Sequence, residues 1–207
     1  MSQYLPVKNG LKSVWLREPQ GLENHRTTES IPSHADVVII GAGYAGAATA
    51  YHLVRDFPEI SSITILEARE ACSGATGRNG GHLRPDLYGH IPTYIDRYGV
   101  ELASEIAEFE IANMWAIKKV IEDEQIDCDL TLQRSIDVWC NEEAADNAIR
   151  TYQKMRAYNL DYMKDVFFTR DPKIAEGVSL HLSASSTFHL IEMVSTDRNR
   201  HSLVFRY

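Results

Sequence analysis

The chain has 207 residues, 44% of them apolar and 24% charged, with a formal net charge of −8 at pH 7. This length allows one domain, or one and a half, with a substantial buried core, while the acidic balance disfavours a general affinity for nucleic acid. Its three cysteines lack CxxC spacing, so they indicate neither a disulfide framework nor a zinc site and favour a reducing compartment.

The first 34 residues are predicted to form an N-terminal extension. They contain three prolines and no sustained apolar periodicity, and Trp15 and Leu16 are the expected anchors to the rest of the chain. The opening MSQYLPVKNG lacks the apolar stretch of a signal peptide, and no later run reaches membrane-spanning length. A soluble, cytoplasmic protein that does not bind membranes is therefore expected.

Residues 35–68 are predicted to form a βαβ unit. ADVVII is a continuous β-branched apolar run, typical of a parallel strand buried on both faces. An Ala-rich helix, GAGYAGAATAYHLVRDF, begins at the glycines that follow, and SSITILEA is a second strand. A strand, a glycine turn, a helix and a strand within about 30 residues make this unit.

A dinucleotide-binding motif lies at the start of the predicted helix. Gly41, Gly43 and Gly46 form G-x-G-x-x-G, which permits a tight turn, close approach of a pyrophosphate and close packing of the helix. The helix N-terminus offers unpaired N–H groups to the phosphates. Glu67, at the end of the second strand, is placed to accept hydrogen bonds from ribose hydroxyls and would repel a 2′-phosphate. The motif predicts FAD or NAD rather than NADP.

The second half of the chain is predicted to alternate between helices and strands. Residues 100–125 show a helical apolar face made of Leu102, Ile106, Phe109, Ala116, Ile117 and Val120. DLTLQRSIDVWC suggests one strand or a short hairpin, and Asn141 is the expected N-cap of a helix that ends near Tyr158. The serine-rich residues 179–207 show no clean periodicity, so no structure is predicted for them.

The segment CSGATGRNGGHLRPD decides between the two cofactors, because an NAD-dependent dehydrogenase does not need such a loop here. Together with the strand and acid before it, this segment resembles the FAD-dependent oxidoreductases of the D-amino-acid oxidase superfamily, closest to a fungal branch similar to γ-glutamylputrescine oxidases. The resemblance covers about residues 1–177, including LYGHIPTYI and DVWCNEEAA. It implies an α/β fold with a Rossmann-like FAD/NAD(P)-binding βαβ unit and the beginning of an α+β substrate domain.

The resemblance also implies which residues bind FAD. The glycines of the motif would line the pyrophosphate, the acid and its two neighbours would hold the adenosine ribose, and the later loop would contact the phosphates and the flavin. These residues are Gly41, Gly43, Gly46, Glu67, Ala68, Arg69, Ser73, Thr76, Gly77, Arg78, Asn79, Gly80, Gly81 and His82.

Neither catalytic residues nor a metal site are predicted. His82, Asp86 and His90 are evenly spaced, but Pro85 and Gly89 make a shared helical face improbable. Some relatives attach flavin through a histidine, yet a loop histidine bonded to the backbone is the favoured interpretation of His82.

The resemblance implies an amine or amino-acid oxidase or dehydrogenase that transfers a hydride from its substrate to the flavin. The predicted domains are an N-terminal extension (1–34), the FAD-binding βαβ unit with its flavin loop (35–99), a helical segment with a partial substrate domain (100–177) and a divergent tail (178–207). Because the match fades near Val178, a C-terminally truncated form is expected. A non-catalytic fragment that at most binds an adenine nucleotide is the alternative.

Overall fold

The structure is a computed structural model that describes residues 10–17, 21–22, 24–133, 136–139, 141–169, 189–192 and 202–205. The chain divides into two compact units, Met1–Gly80 and Gly81–Tyr207. The predicted domain boundaries remain predictions, and the last of them, between residues 177 and 178, lies outside the described residues.

The first unit contains the predicted βαβ arrangement. Its strands are β1 (Val37–Ile40) and β2 (Ile63–Leu66), and its helix is α1 (Tyr44–Asp56). The strands pair in parallel, with Val37 opposite Ile63 and Ile40 opposite Leu66. Two short 3₁₀ turns, Val14–Leu16 and Ala75–Arg78, complete the regular structure described in this unit. The βαβ part of the predicted fold class is confirmed.

The two faces of β1 differ in their surroundings. Ile39 faces α1, since its Cγ2 lies 3.3 Å from the position that a Cβ on Gly46 would occupy. Val38 and Ile40 point the other way and are 53% and 88% exposed. The expectation of a strand buried on both faces is therefore wrong, because one face of β1 is half-buried and the other is exposed.

Asp36 ties the start of β1 to the start of β2. Its Oδ2 accepts hydrogen bonds from the backbone N–H groups of Ser61 and Ser62 at 3.0 and 2.9 Å, and from their hydroxyls at 2.6 and 3.0 Å. These bonds, led by the one from the Ser61 hydroxyl, lower the pKa of Asp36 from 3.8 to about 2. The ionised carboxylate thus fixes the register of the two strands at this end.

The second unit is built from helices and antiparallel strands. Its helices are α2 (Ile91–Tyr98), α3 (Val100–Asp123) and α4 (Glu142–Ala157). Its strands are β3 (His82–Leu83), β4 (Leu130–Gln133), β5 (Ile136–Trp139), β6 (Phe167–Thr169), β7 (His189–Glu192) and β8 (Ser202–Phe205). They form two three-stranded sheets, of order β3-β8-β4 and β5-β7-β6.

The two later predicted helices are confirmed, but the hairpin is not. The side chain of Asn141 accepts a hydrogen bond from the N–H of Ala144 at 3.1 Å, as an N-cap does. β4 and β5 do not pair with each other among the described residues, because β8 pairs with β4 and β7 pairs with β5. Both alternatives, one strand or a short hairpin, are therefore wrong, since the segment forms two strands and each pairs with a partner far along the chain.

The buried face of α3 is not the one predicted. Leu102 and Phe109 are 52% and 69% exposed, whereas Ala103 and Ala107 are fully buried. The large side chains therefore predict the wrong face. α3 packs against α2, and small side chains at such a contact allow two helices to approach closely. The hydrophobic core of this unit also takes in Ile91, Met155, Tyr162, Met163 and Val166. No described helix is long and apolar enough to cross a membrane.

Removal of the two hydroxyls that bind Asp36 should weaken the first unit near neutral pH, and the difference in stability from the wild type should disappear in acid. In the double variant Ser61→Ala/Ser62→Ala, we expect the pKa of Asp36 to rise from about 2 toward 3.8. A carboxyl group whose pKa is lower in the folded state than in the unfolded state stabilises the fold at pH values above its unfolded-state pKa. This contribution is lost as the pH falls through the folded-state pKa. An NMR titration of the Asp36 carboxyl carbon measures the change.

Ser104→Ala is the control for this titration. The Ser104 hydroxyl donates to Glu108 on α3 at 3.3 Å, in the other unit, so its removal should leave the titration of Asp36 unchanged. A pKa that stays near 2 in the double variant would contradict the role given to the serines.

Candidate FAD-binding site

The glycine turn (residues 41–46) links β1 to α1 and depends on the absence of side chains at two positions. Gly41 has a φ of +106°, a conformation that favours glycine, and its N–H donates to the carbonyl oxygen of Leu66 at 2.7 Å. A Cβ on Gly46 would lie 2.1 Å from the carbonyl oxygen of Gly41. The helix can therefore start this close to the strand only with glycine at position 46.

Glu67 lies directly after β2 and reaches the glycine turn. Its Oε2 accepts a hydrogen bond from the N–H of Ala42 at 2.9 Å, and its Oε1 accepts one from the N–H of Arg69 at 3.0 Å. The bond from Ala42 is the main reason that the pKa of Glu67 lies below its usual value. The side chain is exposed and ionised at neutral pH, and each of its oxygens can accept a further hydrogen bond.

The second loop (residues 72–79) folds back onto the glycine turn. The N–H of Cys72 donates to the carbonyl oxygen of Ala42 at 2.9 Å. Cys72 has a φ of +59°, uncommon for a residue other than glycine. Gly77 is buried, and a Cβ there would lie 2.5 Å from the carbonyl oxygen of Cys72. The sequence motifs that resemble nucleotide-binding segments therefore meet in the fold.

Thr76 makes the contact between the second loop and the start of α1. Its hydroxyl oxygen accepts a hydrogen bond from the N–H of Tyr44 at 2.9 Å. Gly43 is the N-cap residue of α1, and a Cβ there would lie only 2.9 Å from the same oxygen. The second glycine of the motif thus makes room for the second loop as well as for a ligand.

The N-terminal strap (residues 11–16) packs against the second loop. The Ser13 hydroxyl donates to the carbonyl oxygen of Gly77, and the indole N–H of Trp15 donates to that of Asn79 at 2.9 Å. The expected anchoring role of Trp15 is confirmed.

Arg78 and Leu16 complete this contact. The guanidinium Nη2 of Arg78 donates to the carbonyl oxygen of Leu11 at 2.7 Å. The Cδ1 atom of Leu16 lies 3.4 Å from the position of a Cβ on Gly77, so the expected anchoring role of Leu16 is confirmed as well. Arg78, predicted to contact FAD, is therefore held at the N-terminal strap by one of its nitrogens.

The remaining predicted contacts occupy three different settings. Ser73 has a buried hydroxyl oxygen without a hydrogen-bond partner among the described residues. Gly80 is exposed and ends the first unit. Gly81 is buried with a φ of +74°, and His82 is exposed at the start of β3, both in the second unit.

These observations fit the ADP half of FAD. Beyond the N–H of Tyr44, which donates to Thr76, the first turn of α1 supplies backbone N–H donors that have no acceptor inside a helix, which suits a pyrophosphate. Ser73 offers a buried hydroxyl without a partner in the described part of the chain, and Glu67 offers ionised oxygens for ribose hydroxyls. Gly41 has open space around its Cβ position, which leaves this side of the turn clear of side chains.

A second polar cluster lies in the other unit. Arg84 binds the two carboxylate oxygens of Asp137 with two of its nitrogens, one of them at 2.7 Å, and the Tyr88 hydroxyl donates to the same carboxylate. Burial alone would raise the pKa of Asp137, but the hydrogen bonds from Arg84 and Tyr88 outweigh it and lower the pKa. No local pattern could have indicated this pair, because 53 positions separate the two residues.

Asp86 has a structural role before α2. Its carboxylate accepts hydrogen bonds from the N–H groups of Tyr88, Gly89 and His90 at 3.2, 2.7 and 2.7 Å. The Nδ1 atom of His90 lies 2.5 Å from the same carboxylate. In the described part of the chain, no three His, Cys, Asp or Glu residues form a group that could hold a metal ion.

The DAO family model, described as FAD dependent oxidoreductase, matches residues 36–182. The chain belongs to this family. The resemblance that the sequence indicates is therefore confirmed, and FAD is the cofactor of the family.

Individual relatives of this DAO-family chain agree with the family assignment. It is 33% identical over 94 residues to the gamma-glutamylputrescine oxidoreductase of Escherichia coli, covering 45% of this chain and 21% of that protein. It is 31% identical over 129 residues to the oxidoreductase TDA3 of Saccharomyces cerevisiae, covering 60% of this chain and 22% of that protein. Its matched segments thus span less than a quarter of the length of these two relatives.

The structure of the DAO-family chain resembles that of the L-amino acid deaminase from Proteus myxofaciens. The TM-score is 0.57 at 20% identity, over 89% of this chain and 36% of the deaminase chain. This likeness confirms the predicted fold class.

Gly46→Ala should destabilise the first unit of the DAO-family chain. The added methyl group would lie 2.1 Å from the carbonyl oxygen of Gly41, so α1 must move away from the turn. We expect a loss of about 1–3 kcal/mol in the free energy of unfolding, typical of overpacking. Gly74→Ala is the control, because its Cβ would make an ordinary 3.5 Å contact with Arg69. Equal urea midpoints for the two variants would contradict the prediction.

Asp137→Asn should destabilise the second unit. Arg84 would lose its ionic partner in a half-buried site, which costs about 1–3 kcal/mol. Asp161→Asn removes an ion pair with Lys164 whose side chains are both about two-thirds exposed, and it should cost less than about 1 kcal/mol. Urea unfolding monitored by hydrogen exchange in β5 and α4 compares the two. An Asp137→Asn variant as stable as the control would contradict the prediction.

Proposed function

We propose that the chain supplies the ADP-binding part of an FAD-dependent oxidoreductase that oxidises a carbon–nitrogen bond in an amine or an amino acid. The observation that carries this proposal is the meeting of Glu67, the glycine turn and the second loop in one unit. FAD, when bound, supplies the hydride acceptor for such an oxidation. Similarity to a gamma-glutamylputrescine oxidoreductase supports the amine substrate class.

Different residues of the chain would bind different parts of FAD. The glycine turn and the N–H groups that follow Tyr44 in the first turn of α1 would hold the pyrophosphate, because backbone donors can approach an anion closely where side chains are absent. Glu67, with Ala68 and Arg69 beside it, would accept hydrogen bonds from the adenosine ribose. The second loop would carry the remaining phosphate contacts and, together with Gly80, Gly81 and His82, those with the flavin.

A second candidate function is an adenine-nucleotide binder without catalysis. The glycine turn, Glu67 and the second loop, which are the proposed ADP contacts, all lie in the first unit, which favours it. A chain that binds adenine nucleotides through its first unit and oxidises no amine would have this function.

We also propose a cytoplasmic location and no affinity for nucleic acid or membranes. The net charge of −8 supports the lack of affinity for nucleic acid. Cys72 and Cys128 are free thiols, which supports a reducing compartment.

Glu67→Ala tests the function through the cofactor rather than through turnover. We expect wild-type chain to bind FAD, and the variant to bind it about ten- to a hundredfold more weakly, because hydrogen bonds from the ribose to a carboxylate are lost. FMN lacks the adenosine, so its weaker binding should be the same in both proteins. Titrations followed by flavin fluorescence give both dissociation constants.

Glu70→Ala is the matched control, since Glu70 is an exposed glutamate three positions further along the same segment. It should bind FAD like the wild type. A wild-type chain that binds NAD but no flavin would contradict the proposed function and favour a nicotinamide-dependent enzyme.

A further inference from the structure

The N-terminal strap contacts the second loop where that loop leaves its 3₁₀ turn. Two donors of the strap, the Ser13 hydroxyl and the Trp15 indole N–H, bind the carbonyl oxygens of Gly77 and Asn79. A 3₁₀ turn of four residues, Ala75–Arg78, has little stability of its own and leaves carbonyl groups without partners at its end. The strap therefore supplies hydrogen bonds that the second loop lacks.

The bond from Trp15 fixes the direction of one particular peptide group. In a trans peptide, the C=O of one residue and the N–H of the next point in opposite directions. Because the Asn79 carbonyl points to Trp15, the N–H of Gly80 points away from the strap. This bond opposes rotation of the peptide group, which Gly80, without a side chain, does little to resist.

We propose that Trp15 is a positioning residue for FAD, which holds the Asn79–Gly80 peptide so that its N–H is available to the cofactor. This inference rests on the proposed function and assigns a role to a segment that precedes the βαβ unit. Ser13 supports the same loop two residues earlier, and the Arg78 side chain returns a hydrogen bond to the strap at Leu11. The strap thus supports the proposed cofactor site through the second loop.

Trp15→Phe tests the proposal, because it keeps an aromatic ring and removes the N–H donor. We expect FAD to bind about two- to tenfold more weakly, the effect of one neutral hydrogen bond. In the chain without FAD, amide hydrogen exchange in residues 72–80 should be faster by a similar factor. Ser13→Ala, a milder change of the same strap, should shift both measurements in the same direction.

Two controls separate positioning from general destabilisation. Trp115→Phe makes the same chemical change on α3 and should bind FAD like the wild type. Ser61→Ala/Ser62→Ala weakens the first unit at the other end of the sheet, away from the second loop. If this double variant loses as much FAD affinity as Trp15→Phe at equal loss of stability, Trp15 acts only through stability and the proposal is wrong.

The measurements distinguish an incorrect role for Trp15 from an incorrect proposed function. Wild-type FAD affinity or unchanged exchange in Trp15→Phe would overturn the role of the strap alone. A wild-type chain that binds no FAD would overturn the proposed function together with the FAD-positioning role of Trp15.

Discussion

The backbone of Ala42 holds the first unit together at its ligand-facing end. Its N–H donates to Glu67 and its carbonyl oxygen accepts from Cys72, so both polar groups of one residue bind the chain that follows β2. The glycines on either side of Ala42 leave its peptide groups accessible to these partners. Ala42 thus positions both the second loop and Glu67. The cofactor contacts proposed for the first unit depend on the positions of that loop and that side chain.

The two ends of the β1–β2 pair are fastened in the same way. At one end Asp36, before β1, binds the serines before β2; at the other, Glu67, after β2, binds the turn after β1. Each carboxylate accepts backbone N–H groups and has a pKa below its usual value, Asp36 mainly because of the Ser61 and Ser62 hydroxyls and Glu67 mainly because of the N–H of Ala42. Two strands alone bury little apolar surface, so these polar ties have an unusually large share in defining the sheet.

Sequence alone was sufficient where the physical cause is local. The glycine spacing and the Asn141 cap each act within a few residues, and the helices they predict are present. Sequence alone was insufficient where the interaction partner is remote. β4 and β5 pair with strands near the end of the chain. The face of α3 that packs against α2 carries alanines rather than the larger side chains. The bonds at Ala42 and the pairing of Arg84 with Asp137 likewise join distant positions without a local signal.

The contact made by Trp15 gives the molecule a built-in optical reporter. The chain has three tryptophans, and Trp15 alone lies among residues 1–80. Its indole ring donates directly to the second loop, so its emission responds to whether that loop is in place. Flavins absorb light in the range where tryptophan emits, and a bound flavin would shorten the lifetime of this excited state. The order of events at the site, loop first or cofactor first, can therefore be followed by time-resolved fluorescence without attaching a dye.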